Sequence, residues 1–220
     1  MLRSDVDPTS PDAGPVDQVV AQLRSWIMDG SLLPGVQLRQ EEMADLLQVS
    51  RLPVREALRI LTEQELLEYR RHRGYFVARR EKDDIAQINR MLDLLEPELI
   101  RTARWPTAEE LATLRRLNAE MEELVMSDEA ARFINLNRTF HFTIFSLSPL
   151  TVIFGEVNRL WTMIDANTAR SLASPEGKKR TLKEHRAIIR ALEKKSLADA
   201  LRTSELHRMS TYTSGLGGLG

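Results

Sequence analysis

The sequence predicts a mainly α-helical protein, with an N-terminal unit of three helices closed by a β-hairpin and a C-terminal all-helical bundle. Three observations predict it. Apolar residues recur at i, i+3, i+4 and i+7 through most of the chain, the period of a half-buried helix. Strand-like runs are confined to a short stretch around His72 to Gly74. Proline, serine and glycine cut the remainder into segments of helix length.

Composition sets the outer limits. The 220 residues give room for one large domain or two modest ones, and 42% apolar with 29% charged residues is the balance of a soluble chain with a core. Cysteine is absent, which excludes disulfides and thiolate metal sites and fits a reducing cytosol, so a cytoplasmic protein is expected. No apolar run approaches the roughly 18 residues of a membrane span. The opening "MLRSDVDPTSPDAGP" is acidic and proline-rich, so residues 1–14 read as a flexible leader.

The formal net charge is only −1, but its distribution is uneven. Residues 51–80 hold eight arginines against four glutamates, net +4, and the first lysine of the chain is Lys82. That segment therefore uses only the planar fork that suits phosphates and guanine edges.

The elements follow in order. After Pro15, the residues Val16, Val19, Val20, Leu23 and Ile27 keep helix spacing, and Gly30 is placed to end that helix. "LLPGVQL" is a turn with Pro34-Gly35 in type II order. A second helix covers about Gln40 to Leu47, with Met43, Ala44 and Leu47 inward. Ser50 is a suitable N-cap for a third helix, and Pro53 falls in its first turn, where the missing N–H would have no partner anyway. On that helix Val54, Ala57, Leu58 and Leu61 form the core stripe, while Arg51, Arg55 and Arg59 lie about 110° around from it. "EYRRHRGYFVARR" then reads as two short strands around His72-Arg73-Gly74, with glycine at the turn.

Three helices and a basic hairpin make a winged helix-turn-helix over residues 15–80. The third helix is expected to enter the major groove of duplex DNA, and the hairpin to touch backbone or minor groove. Candidate contacts are Ser50, Arg51, Arg55 and Arg59, with Arg71, His72, Arg73 and Gly74 at the hairpin tip. A charged stripe alone is equally explained as a solvated face. The turn, the capping serine and the arginine hairpin together favour nucleic acid.

"IMDGSLLPGVQLRQEEMADLLQVSRLPVREALRILTEQELLEYRRHRGYFV", Ile27 to Val77, closely resembles the DNA-binding domain of the GntR family of bacterial transcription regulators. The resemblance implies operator contacts at Ser50, Arg51 and Arg55 and a wing tip at His72 to Gly74. Gln48 stands where glycine usually ends the second helix, which predicts a strained left-handed residue there. Glu41 occupies a position where a fatty-acid-responsive relative carries a DNA-contacting arginine, so Glu41 is not counted as a contact.

From Asp83 on, the pattern is helical throughout, near 83–104, 107–126, 128–146, 149–172, 175–194 and 197–212, with Pro97 expected to kink or break the first of these. Residues 83–213 are expected to form one effector-binding and dimerisation domain, and 214–220, from "TSGLGGLG", a flexible tail. The three histidines of this half, His141, His185 and His207, fall on three predicted helices, and Asn137 is one turn before His141. Imidazoles meeting inside a bundle would suit Zn²⁺ or Ni²⁺. Spacing alone is explained as well by three separate histidines, buried or at the surface.

This half resembles the FCD ligand-binding domain of the FadR branch, in its six-helix, VanR-like form. Many such domains bind a metal through an aspartate, a histidine four residues on, and two histidines near the C-terminus. The resemblance carries those roles to Asn137, His141, His185 and His207, with a neutral amide in the aspartate position. It implies a divalent metal and a small carboxylate or hydroxy-acid effector. An arginine often found four residues before the first-helix glutamate is replaced by Leu92, preceding Glu96. Arg101, Arg138, Arg159 and Arg170 are candidate replacements.

The function expected is a DNA-binding transcription regulator, not an enzyme. As a homodimer on an inverted-repeat operator, it would answer to a small-molecule effector. The alternatives are a metal-dependent hydrolase and an effector-independent architectural DNA binder. Against the hydrolase, Glu184 neighbours His185 but should point about 100° away from it, leaving no base at the metal.

Overall fold

In a computed structural model the chain divides into two compact units, one ending at Arg80 and the other beginning at Glu81. The structure describes residues 14–28, 30–127, 129–172 and 174–216, and for 165–171 and 212–216 the backbone alone. The expected leader, apart from Gly14, lies outside the described residues.

The first unit runs α1 (Pro15–Met28), β1 (Gln37–Leu38), α2 (Gln40–Leu47), α3 (Arg51–Glu63), β2 (Leu67–Arg70) and β3 (Gly74–Val77). Its core is the predicted stripe of α3, with Val54, Ala57, Leu58 and Leu61 all 0% exposed, packed against Leu23 and Met43. Leu47 is only half-buried at the edge of this cluster.

Two tight connections fix the angles of the three helices. Gly35 takes φ 86°, and the Val36 N–H donates to Leu33 O at 3.1 Å, closing the predicted turn. Gln48 ends α2 in the left-handed region at φ 54°, and its side-chain amide donates to Asp45 O at 2.7 Å. The strain is thus partly offset by a local hydrogen bond.

The hairpin pairs Arg70 with Gly74 across a loop of Arg71, His72 and Arg73. Both His72 (φ 60°) and Gly74 (φ 87°) are left-handed, so the glycine opens β3 rather than standing at the loop's centre. A strand not foreseen from sequence completes the sheet: β1 pairs antiparallel with β3, giving the order β1-β3-β2.

The second unit is six helices: α4 (Lys82–Thr102), α5 (Ala108–Glu123), α6 (Ala130–Phe145), α7 (Thr151–Ser171), α8 (Pro175–Glu193) and α9 (Leu197–Leu216). Three of their starts show side-chain capping. Glu81 and Asp84 form a capping box on α4, Thr107 and Glu110 another on α5, and Ser174 accepts from Gly177 N on α8.

One expectation is narrowed and another changes. Helix α4 continues through Pro97 without a break, which leaves the kink as the expectation; an interior proline removes only its own N–H bond to the residue four before it. Helix α9 reaches Leu216, so residues 214–216 are helical rather than part of a flexible tail, and 217–220 lie outside the described residues. Extending an existing helix adds a hydrogen bond per residue fixed, so one glycine does not stop it at once.

Helix α9 packs on α4, α7 and α8, and α5 packs on α6 and α8. The core between them includes Leu92, Leu114, Met121, Phe133, Phe140 and Leu160. Lys178 on α8 is also buried, at 3% exposed. Its ammonium donates to Leu124 O and Ser127 O, each at 2.9 Å, and stands 5.5 Å from the Phe133 ring centre. It adds a charged donor to Leu124 O, which already accepts from the Ser127 N–H and hydroxyl, and gives Ser127 O a donor beyond the end of α5.

Candidate functional site

Two groups of chemistry-bearing side chains stand out, one in each unit. In the first, Ser50 occupies the N-cap position of α3 with extended backbone, but its hydroxyl makes no capping hydrogen bond. Arg51, Arg55 and Arg59 are all exposed, as the stripe predicts. Each is engaged by an acid. Arg51 Nη1 meets Glu41 Oε1 at 2.8 Å, and Arg55 meets Glu56 at 3.5 Å. Arg59 is paired with Glu63 and lies 3.6 Å from Glu56.

Arg71, His72 and Arg73 project at the hairpin tip. The wing has an aromatic base. Arg70 lies over the Phe76 ring at 4.5 Å and Arg73 at 5.8 Å, while Tyr69 and Tyr75 pair at 5.2 Å. Arg70 was not among the sequence candidates, because the alternation of β2 assigns no role to a residue at the strand's end.

In the second unit α6, α8 and α9 bring His141, His185 and His207 together. The alternative of three separate histidines does not hold. His141 Nε2 lies 3.0 Å from His207 Nε2 and 3.2 Å from His185 Nε2, and all three residues are buried. One nitrogen from each lies within 4.8 Å of the others. His185 stacks on Phe140 at 3.9 Å, which fixes its ring plane. Burial holds the His141 and His185 imidazoles well below their ordinary pKa, and the neighbouring His207 pushes both the same way. They are therefore neutral, the form that ligates a metal.

Asn137, one turn before His141, is 3% exposed, and its Oδ1 has no hydrogen-bond partner. Three clustered imidazoles, two of them held neutral by burial, and an unpartnered amide oxygen one turn away fit a borderline divalent cation.

Glu184 does not simply turn away from the cluster. Its Oε2 lies 2.7 Å from His207 Nδ1 and also accepts from Ser210 Oγ at 2.9 Å. The 100° rotation from His185 is real, but on α8 it aims Glu184 at the far side of a histidine on α9. A carboxylate there holds the Nδ1–H tautomer and leaves Nε2 facing the other imidazoles.

His141 and His207 border a cavity that α4, α6, α7 and α9 enclose. Glu96 lies in its wall, 5% exposed. It accepts from Trp161 Nε1 at 2.7 Å and from Arg208 Nη1 at 3.2 Å, and Arg208 Nε donates to Asp93 at 2.6 Å. Burial pushes the Glu96 carboxyl upward, against the lowering pull of Arg208 and Trp161.

The arginine on this cavity is Arg208, missed in the sequence. Ser204, His207, Arg208 and Thr211 follow i, i+3, i+4 and i+7 spacing and all line the cavity, so the stripe was readable once His207 was taken as inward. Of the four expected arginines, Arg101, Arg138 and Arg159 are not on the lining. Arg101 pairs with Glu98 at the surface, and Arg159 with Glu156. Arg138 reaches across to α7, donating to Asn158 Oδ1 at 2.7 Å and Thr162 Oγ1 at 3.1 Å. Each answers to a nearby polar partner on the outside of the bundle. The side chain of Arg170 lies outside the described residues.

A winged helix-turn-helix with an arginine-edged third helix, in one chain with a six-helix unit whose largely apolar cavity carries a few polar groups, defines a class: the DNA-binding transcription regulators. Residues 15–77 match the gntR family of bacterial regulatory proteins, and residues 84–209 match the FCD domain. The chain belongs to the GntR family, with an FCD domain as its C-terminal part; it is a transcription regulator, not an enzyme.

The HTH-type transcriptional regulator YdhC of Bacillus subtilis is 26% identical over 183 residues, 81% of each chain. The HTH-type transcriptional regulator McbR of Escherichia coli is 28% identical over 145 residues, 66% of each. The structure titled E. coli McbR/YncC is similar at TM-score 0.81 and 22% identity, over 94% of this chain and 99% of that one. A GntR regulator from Rhodococcus sp. RHA1 is similar at TM-score 0.76 and 22% identity, over 92% and 98%. At that identity the two structures speak for the fold. Among the described residues no helix is long and apolar enough to cross a membrane.

Proposed function

We propose that this regulator binds an inverted-repeat DNA operator as a homodimer and changes its grip when a small acid occupies the helical cavity. One recognition helix reads only a few base pairs, whereas two related by symmetry supply the discrimination that a genome demands. Ser50, Arg51 and Arg55 meet the operator on α3, with Arg59 at the margin because two glutamates already engage it. Arg71, His72, Arg73 and Gly74 bring the wing to the backbone or minor groove. A bacterial regulator of this kind works in the cytoplasm.

Zn²⁺ or Ni²⁺ is the cofactor proposed, held by His141, His185, His207 and Asn137. The observation that carries this is the unpartnered Oδ1 of Asn137, a residue that lines the same cavity as His141 and His207, one turn from the imidazole cluster. When bound, the ion supplies a Lewis-acid anchor for an anionic effector. Glu184 holds His207 in the ligating tautomer, and Arg208 provides the cavity's guanidinium. The effector class is a small carboxylate or hydroxy-acid. Because Asn137 brings no charge, the effector must neutralise more of the ion than it would beside a carboxylate.

A hydrolase is disfavoured by Glu184, whose carboxylate sits behind His207 rather than among the three Nε2 atoms. Metal analysis of protein purified without chelator, joined to thermal-shift titration with small carboxylates with and without Zn²⁺ or Ni²⁺, tests the site. Absence of bound metal and of metal uptake rejects it. On the DNA side, Arg55→Ala is expected to weaken specific operator binding by about 1–3 kcal/mol. Equal weakening on random duplex would make Arg55 a phosphate contact.

A further inference from the structure

The DNA-facing side of the head carries an acid that the reading above leaves unused. Glu41 lies in the first turn of α2, and its Oε1 meets Arg51 Nη1, from the first residue of α3, at 2.8 Å. Both side chains are about two-thirds exposed, at 67% and 71%. An ion pair that open contributes little to folding. A carboxylate also repels the phosphates that the neighbouring arginines attract. Arg55 and Arg59 are paired with acids of their own helix, whereas Arg51 is held from a different one.

We infer that Glu41 is a positioning residue for base recognition: it fixes the Arg51 guanidinium so that its free edge meets one base pair, with guanine the partner its donors fit. This rests on the reading that α3 docks on DNA. Arginine's fork carries five N–H donors, so an Nη1 held by Glu41 leaves the remaining donors for two acceptors on a guanine edge. A free arginine loses rotamer freedom on docking, while a held one has lost part of it beforehand. The carboxylate also reduces the pull of nearby phosphates on Arg51, which would otherwise draw it from base to backbone. As the interface excludes water the effective dielectric falls, and the pair tightens where it is needed.

A bland role competes with this. An acid in the first turn favours the N-terminus of α2 whether or not DNA is present. That role predicts a shift in stability and no shift in base preference.

The test uses the full chain in four forms: unsubstituted, Glu41→Gln, Arg51→Ala and the double variant. Each selects from a randomised duplex pool, and its affinity for the selected and for a scrambled duplex is then measured across a KCl series. Arg51→Ala is expected to lose preference at one base pair of each half-site. Glu41→Gln should relax that same position about five- to tenfold, while binding scrambled duplex more tightly. Its salt slope on scrambled duplex should steepen by up to about one unit as Arg51 turns to phosphate. The double variant should be no less selective than Arg51→Ala alone.

Unchanged preference in Glu41→Gln, beside a loss in Arg51→Ala, overturns the inference and leaves α3 on the DNA. Relaxation at a different base pair also overturns it, because Glu41 would then be touching a base itself. If Arg51→Ala selects the same sites as the unsubstituted protein, the docking of this part of α3 fails and the inference falls with it. Thermal melts of the four forms identify any variant whose fold, rather than its recognition, has changed.

Discussion

Asn137→Leu is expected to make the metal-free protein more stable and to weaken its response to metal. Asn137 is 3% exposed and its Oδ1 is buried without a partner. A buried acceptor left unsatisfied costs about 1–3 kcal/mol. Leucine removes that cost and adds apolar surface on a cavity wall that has space for it. In a chain of this length each kcal/mol moves the melting midpoint by about 2–4 °C, so a rise of about 2–12 °C follows after dialysis against chelator. Adding Zn²⁺ or Ni²⁺ at a hundred times its Kd stabilises the unsubstituted protein by about 2.7 kcal/mol. The variant should gain less, by about 1.4 kcal/mol for every tenfold loss of affinity. Circular dichroism melts of both proteins, with and without metal, decide the matter. A metal-free variant less stable than its parent would mean that the oxygen is already satisfied. An undiminished metal shift would remove Asn137 from the ligand set.

Lys178→Met keeps the stem of the side chain but removes the ammonium from Ser127 O and from Leu124 O, which retains the Ser127 N–H and hydroxyl. Urea denaturation should show a loss of about 1–3 kcal/mol; unchanged stability would mean that desolvation of the ammonium cancels both bonds. Gln48→Gly should stabilise the head by roughly 0.5–1 kcal/mol, since φ 54° suits glycine, and destabilisation would show that the side-chain bond to Asp45 O outweighs the strain. Arg104 donates to both oxygens of Glu110 and, as the main cause, holds that carboxyl at about 2 against an ordinary 4.5. A folded pKa below the unfolded one gives stability that is full above about pH 4.5 and lost as the pH falls through about 2. Acid titration of Glu110→Gln should therefore show a flatter limb across that window, and an identical limb would refute the linkage.

Much of the head was legible because its signals were local. The apolar stripe of α3 follows helix spacing and the Pro34-Gly35 turn needs its glycine at φ 86°, while the left-handed Gln48 was expected from the family resemblance rather than from its neighbours. Strand β1 was not legible, since two residues carry no alternation and are defined only by pairing with β3. In the helical unit the convergence of His141, His185 and His207 could be suspected from separate helices, but only packing decides which faces meet. Glu184 shows the limit. Its direction relative to His185 was right, yet its partner lies on another helix, and no single-helix argument could supply that helix's position. Arg208 was overlooked for a similar reason: its neighbours Glu96 and Asp93 lie more than 100 residues away in sequence.

The short strand β1 has a mechanical consequence. The Val77 N–H donates to Val36 O, the Gly35 N–H to Val77 O, and the Gln37 amide to Arg73 O near the loop tip. The hairpin is therefore braced from behind along its length, by the segment that joins the first two helices. A duplex arriving at this surface meets a stiff prong rather than a flap, and little chain entropy is left to surrender on contact. The same hairpin cut out as a peptide would lack its brace and so should not keep that shape.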